Sequence, residues 1–291
     1  MTTLNALPRV SPRRRTTDKV MRALLFAAAL IALVPLVLVV YYLLKKGLST
    51  VTGSGFFSSD PNGNFFGNPG GIRSALFGTL EMIALASAIA IPLGIAVALY
   101  LTEYGKESRF ANVIRYFVDV MTGVPSIVFG LFIYIVLVIA HVGGAFTGWK
   151  GSIAVALLML PIVIRSSEVV LLLVPSSLRE AALALGAPRW RVIWRVVLPT
   201  SLSGLITGSL LAVARGMGET APLLFTTAGA FALTANLGAQ MNALPIQIYN
   251  DIQSPRNAII DRAWGAGLTL VALVLILNVV ARIVSRRSRM A

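Results

Sequence analysis

Ser177-Leu178-Arg179-Glu180-Ala181-Ala182-Leu183-Ala184-Leu185-Gly186, with Leu198-Pro199 twelve residues further on, is a hydrophilic interruption between two apolar runs. Ser177 and Glu180 have capping-box spacing, which predicts a helix capped by the Ser177 hydroxyl with Glu180 as its third residue. Gly186 suits the left-handed residue that closes such a helix, and Pro188 suits the start of a second. The first helix is then about two turns long and presents Leu178, Ala181, Ala182 and Leu185 on one side. A helix that short is marginal by itself. Two readings fit it: a piece lying on a membrane surface, or one seated in a partner's groove where alanines permit close approach.

The flanking runs decide the setting. The chain has 291 residues, is 57% hydrophobic and has a mean hydropathy of +0.83, too apolar for an ordinary soluble domain. Ala23 to Leu44 is an uncharged run of 22 residues, and about 20 suffice to cross a bilayer as a helix. Six such spans are readable, roughly 23–44, 73–101, 112–140, 151–174, 196–224 and 263–284. The fold class expected is therefore an all-α integral membrane protein of six transmembrane helices. The absence of cysteine excludes disulfides and thiolate chemistry, and the single histidine, His141, excludes a multi-histidine metal site within the chain.

The net charge of +14 would suggest nucleic acid if it were spread evenly, but it is partitioned. With both termini on the cytoplasmic side, 18 of the 25 Lys and Arg residues fall on that side. Only Lys45, Lys46, Arg73, Lys150, Arg256 and Arg262 fall outside, and Arg215 lies within a span. That is a positive-inside distribution, so the basic residues set topology. Residues 1–22 form a basic cytoplasmic tail. The first span, 23–44, is expected to stay as an anchor, because it exceeds a signal-peptide core and no small-residue cleavage site follows closely. An outside loop, 45–71, follows, with turn chemistry at Asp60-Pro61-Asn62-Gly63 and the aromatic pairs Phe56-Phe57 and Phe65-Phe66 suited to the membrane interface. The main transmembrane domain covers 72–285, with the loop at about 175–199, and 286–291 are a second cytoplasmic tail. Gly123-Val124-Pro125-Ser126 can kink or break the third span, and the segment from 225 to 262 is placed outside, partly helical. Gly204 and Gly208 have the spacing for close helix packing.

Charges inside spans are costly and point to function. Ala214-Arg215-Gly216-Met217-Gly218-Glu219-Thr220-Ala221-Pro222 puts an Arg and a Glu four residues apart in the fifth span, on one helix face and able to pair. Arg215 is roughly 22 Å into the membrane, counted at 1.5 Å per residue from Thr200. Two readings are compatible: an ion pair that locks helices, and an anion site in which the guanidinium fork meets oxyanion oxygens while Glu219 neutralises it when empty. Glu81 lies near the middle of the second span, as a counter-charge to Arg215 or a group facing a partner.

Glu180-Ala181-Ala182, Gly186, Val196 and Leu198-Pro199 resemble the EAA loop of type I ABC importer permeases, in which Ile often stands where Val196 does. The run from Arg215 to Thr226, Asp119 with Gly123 to Leu131, and Leu173-Val174-Pro175 leading into the loop resemble the phosphate-specific members of that family, PstA type. The resemblance covers roughly residues 72–285. It implies a six-helix permease that moves inorganic phosphate across the cytoplasmic membrane. It further implies a homologous second permease, two ATPase subunits gripping the loop, and an external phosphate-binding protein. On that resemblance Arg215, Glu219 and Asp119 belong to the substrate pathway; Glu81, which matches no motif of the family, is added to it on its position near mid-membrane. Arg165 and Glu168 form a gate or helix lock, and Leu178, Glu180, Ala181, Ala182, Leu185, Gly186, Leu198 and Pro199 couple to the ATPase. The chain has no G-x-x-x-x-G-K-[ST] loop, so ATP and magnesium belong to the partner subunits and this chain is not itself an enzyme. The alternatives are a permease for sulfate or molybdate and a membrane scaffold or sensor that uses the loop for docking.

Overall fold

The computed structural model describes residues 12–62, 67–106 and 108–287; Phe65-Phe66, Arg9 and Arg289 lie outside these. The described residues are helical throughout their regular structure, apart from one isolated bridge between Pro61 and Gly70. Helices are what a chain of this hydropathy must form in lipid, where each backbone N–H and C=O has to be satisfied within the segment.

α1 (Pro12–Val51) is one continuous helix of 40 residues, about 60 Å long. The basic stretch from Pro12 to Arg22 is thus an extension of the first span rather than a separate tail. Its side chains are exposed almost throughout, and it packs mainly against α11 (Asn257–Arg287). Gly47 makes that contact possible, since a Cβ there would stand 2.8 Å from the Trp264 carbonyl oxygen. α2 (Arg73–Leu99) runs on through a π-helical turn, Tyr100–Tyr104.

The third span is broken. α3 (Arg109–Gly123) and α4 (Ser126–Ile133, extended through a π-helical turn to Val138) meet at 103°. Val124 and Pro125 between them are extended, with ψ of 130° and 140°, as expected where a proline bars helix from the residue before it. Pro35, Pro92 and Pro161 lie inside continuous helices. Among the described residues there are therefore five helices long and apolar enough to span a membrane, and six spans when the bent pair counts as one.

α5 (Gly148–Leu172) is the most buried helix. The N–H groups at its start, which have no partner within the helix, donate to carbonyls outside it: Thr147, the cap residue, to Thr226 (3.1 Å), Gly148 to Ala239 and Trp149 to Leu237 (both 2.9 Å). α6 (Ser176–Ala184) and α7 (Arg189–Val192) follow, the latter passing through a π-helical turn, Ile193–Val197, into α8 (Leu198–Met217). Gly204 and Gly208 face Val170 and Ser166 of α5 at van der Waals contact or closer, which is the packing their spacing predicts. The core is the meeting of α2, α5 and α8 around Ala86, Ala90, Met159, Val163, Ala212 and Met217. α9 (Ala221–Thr226) and α10 (Leu244–Ile252) complete the chain. α10 is tucked between the ends of α2 and α11, with Leu244 and Ile246 fully buried and the Leu244 N–H on Thr79 Oγ1 at 2.8 Å.

Candidate functional site

The charged pair predicted in the fifth span sits where that span ends. α8 stops at Met217, so Glu219 lies in the turn before α9 rather than on one continuous helix face with Arg215. The two still pair, with Arg215 Nε 3.2 Å from Glu219 Oε1. A cation in the last turn is also favoured by the helix dipole. The asymmetry of the pair matters: the Glu219 side chain is 12% exposed and that of Arg215 60%. Glu219 is held in the protein while the guanidinium reaches out, and its two terminal nitrogens donate to no protein group among the described residues. That is a free planar fork of N–H donors anchored from behind by a carboxylate, the geometry that accepts two oxygens of an oxyanion.

The two sequence stretches around this pair come together. Gly130 of the Gly123–Leu131 stretch, on α4, rests on the backbone of Ala221 and Pro222, directly after Glu219-Thr220. Tyr134 then packs on Phe225, ring centroids 6.2 Å apart. Glu81 is on the adjoining face of α2. Its neighbours Met82 and Ile83 line the spaces left by Gly151 of α5 and Gly216 of α8. Its Oε2 is buried and accepts no hydrogen bond among the described residues, and no ion pair joins it to Arg215.

Asp119 belongs to a second cluster, away from Arg215. Glu168 on α5 accepts from Arg115 Nε of α3 and from Arg165 Nη1, both at 2.8 Å. Arg165 also pairs with Asp119 and donates to the Arg115 carbonyl, while Arg115 donates to the Leu101 carbonyl at the end of α2. Two arginines and two carboxylates thus tie α3 to α5 and α2. Arg115 carried no signal in the sequence, because its partner lies 53 residues away.

The loop between the fourth and fifth spans forms the predicted helix, with a different start. α6 begins at Ser176 with Pro175 at its cap position and no side-chain cap bond, so Ser177 lies in the first turn and does not cap. Proline supplies the pre-set φ instead. Gly186 is left-handed, φ +79°, as predicted, and Pro188 precedes α7. The predicted face divides: Ala182 turns toward the bundle with Arg179, whereas Leu178, Ala181 and Leu185 are exposed, Leu185 at 89%. No residue of α6 is buried. Leu198 and Pro199 begin α8.

Two further polar residues escaped the sequence reading. Lys150, assigned to an outside segment, is fully buried, and its Nζ donates to the carbonyls of Leu137, Gly144 and Ala145. Asp60 accepts both nitrogens of the Arg73 fork and the Leu233 N–H; the Arg73 hydrogen bonds hold its carboxyl below the ordinary value of 3.8.

The exposed short helix α6 thus lies between the fourth and fifth spans, and a half-free arginine stands at the end of the fifth. Two solved structures share the fold. One is the MetNI methionine ABC transporter in inward-facing conformations, with a TM-score of 0.60, 18% identity, and 75% of this chain and 97% of that one covered. The other is a bacterial alginate ABC transporter in complex with an alginate pentasaccharide-bound periplasmic protein, with a TM-score of 0.63, 15% identity, and 94% and 96% covered. The sequence model of the binding-protein-dependent transport system inner membrane component matches residues 90–290, and the chain belongs to that family. Within it, the chain is 40% identical over 278 residues to the phosphate transport system permease protein PstA of Yersinia pestis, covering 95% of this chain and 92% of the relative. It is 39% identical over 282 residues to PstA 1 of Mycobacterium tuberculosis H37Rv, covering 95% and 91%. It is therefore a member of the PstA-type permease family.

Proposed function

We propose that the chain is the multi-pass permease subunit through which an ATP-driven importer moves inorganic phosphate across the cytoplasmic membrane. The observation that carries the reading is the Arg215 guanidinium, anchored by Glu219 at 3.2 Å yet 60% exposed, in a chain 40% identical to phosphate permeases over nearly its whole length. A transport site has to release what it binds, and an exposed guanidinium shared with a carboxylate holds an anion moderately.

In this reading the α6 end is cytoplasmic and both termini lie there, in keeping with the positive-inside distribution. ATP and magnesium are handled by separate ATPase subunits that dock on Leu178, Glu180, Ala181, Leu185 and Gly186, with Leu198-Pro199 carrying the displacement into α8. A second, homologous permease completes the pathway, and an external phosphate-binding protein docks at the α10 end. Glu81 faces that pathway. The Arg115–Glu168–Arg165–Asp119 cluster locks α3 to α5 on the cytoplasmic side and opens as the anion leaves.

The test is ATP-driven uptake of radiolabelled phosphate and of sulfate into vesicles holding the whole complex, native against Arg215→Gln with equal assembly. Phosphate uptake lost in the variant supports the substrate and the site. Sulfate uptake by the native complex moves the chain to another oxyanion, and undiminished phosphate uptake by the variant leaves Arg215 a structural ion pair.

A further inference from the structure

α6 has little grip on the rest of the chain through packing: none of its residues is buried, and Ala182 rests half-buried on the cluster of Ala98, Val174 and Val192. Its one strong attachment is ionic. Arg179 turns inward, with its side chain 13% exposed, and donates from Nε (3.1 Å) and Nη2 (2.8 Å) to Oε1 of Glu103, which is 10% exposed. The same guanidinium donates to the carbonyls of Val174 (2.5 Å) and Leu171 (2.8 Å) at the end of α5. Glu103 sits in the π-helical turn that ends α2, 76 residues away in sequence. One side chain therefore fastens the short helix to the ends of two spans at once.

The covalent connections of α6 are poorer links to α2. Toward α8 the chain passes through Gly186, left-handed and with nothing within 4 Å of where a Cβ would lie, a turn that can absorb rotation. Toward α5 it passes through Leu173, Val174 and Pro175, and on that side the contact with α2 is non-directional apolar packing, Val174 and Ala182 sharing one cluster with Ala98. A nearly buried ion pair, by contrast, is stiff, because parting it strands both charges away from water. From Glu103, α2 runs up to Ile83, which lies against Gly216 next to Arg215.

We infer that the Arg179–Glu103 pair is the tie through which displacement of α6 is delivered to α2, making Glu103 a positioning residue for transport and not a docking residue. The inference rests on the reading of the chain as an ATP-coupled phosphate permease, and it names the link by which that coupling reaches the second span.

The test uses the whole complex in vesicles, with ATP hydrolysis and phosphate uptake measured in the same preparation and the partner subunits freed of cysteine. With Glu103→Gln, the ATPase subunits should stay bound and hydrolyse ATP while phosphate moved per ATP falls about five- to ten-fold, a coupling loss in the usual mutational range. This chain has no cysteine, so the double variant Glu103→Cys, Arg179→Cys carries its only two thiols at the tie. Bridged by a reducible bifunctional thiol reagent, it should regain uptake per ATP, and lose it again on reduction. Unchanged uptake per ATP in Glu103→Gln overturns the inference. So does loss of ATPase binding that the bridge fails to restore, which makes the pair a fold element only. Absence of phosphate uptake by the native complex fails the underlying reading instead, before any variant is compared.

Discussion

Gly130 of α4 and Pro222 of α9 touch through their backbones: a Cβ on Gly130 would lie 2.7 Å from the Pro222 Cα. That contact sets the half-span α4 directly against the segment that follows Glu219. Gly130→Val has nowhere to put its methyls and should cost about 1–3 kcal/mol through overpacking. Gly123→Ala, where a Cβ meets nothing within 4 Å, is the matched control. Thermal unfolding of the purified protein in detergent should show a lowered midpoint for the first and not for the second.

Glu219 restrains Arg215, so neutralising it should make the arginine hold anions harder. For Glu219→Gln, the apparent KM for phosphate uptake should fall about two- to five-fold, as befits a largely exposed partner. Maximal uptake should fall with it, because release becomes slower. A raised KM would show that Glu219 serves the anion in some other way.

Removing the Lys150 ammonium leaves three carbonyls, on Leu137, Gly144 and Ala145, without their charged donor. Lys150→Met should destabilise the protein by about 2–4 kcal/mol. The turn from 139 to 147 should become open to thermolysin in the variant and stay closed in the native protein.

Gly186 holds φ +79° in open surroundings, so a substitution there is opposed by the backbone and not by neighbours. Gly186→Val should cost about 1–2 kcal/mol and reduce the ATPase subunit that copurifies with the complex. Gly186→Asn, tolerant of the left-handed region, should keep most of it.

Asp60 is held ionised by Arg73. A depressed carboxyl value gives stability that is complete above 3.8 and is lost as pH falls through the lower folded value. The loop carrying Leu233 should therefore resist pepsin until the pH is below 3.8. In Asp60→Asn the loop should be cut at every pH tested, with no acid threshold of its own.

What the sequence could show was local. The helix 176–184, the left-handed Gly186 and the pairing of Arg215 with Glu219 all depend on residues within a few positions of one another. Hydropathy located the spans. Gly123-Val124-Pro125 marked the place where the third span breaks, but hydropathy could not show why Pro92 and Pro161 leave their helices continuous, because the outcome depends on what surrounds each freed carbonyl. Nor could it place Asp119, read as a pathway residue yet paired with Arg165, or find Glu103 opposite Arg179. Those pairs join residues 46 and 76 apart, and charge alone does not say which of several candidates will meet. Lys150 misled for a related reason: a lysine beside a span reads as topology, whereas here it closes the end of a neighbouring helix.

The bend of 103° between α3 and α4 means that the third span belongs to two bodies. α4 is fixed to α9 by close backbone packing, whereas α3 is moored to α5 by ion pairs together with Ala111 and Val118 packed on Leu101 and Ile164. A valve that never opens both ways at once needs two seats that move separately, and a straight helix would make them one.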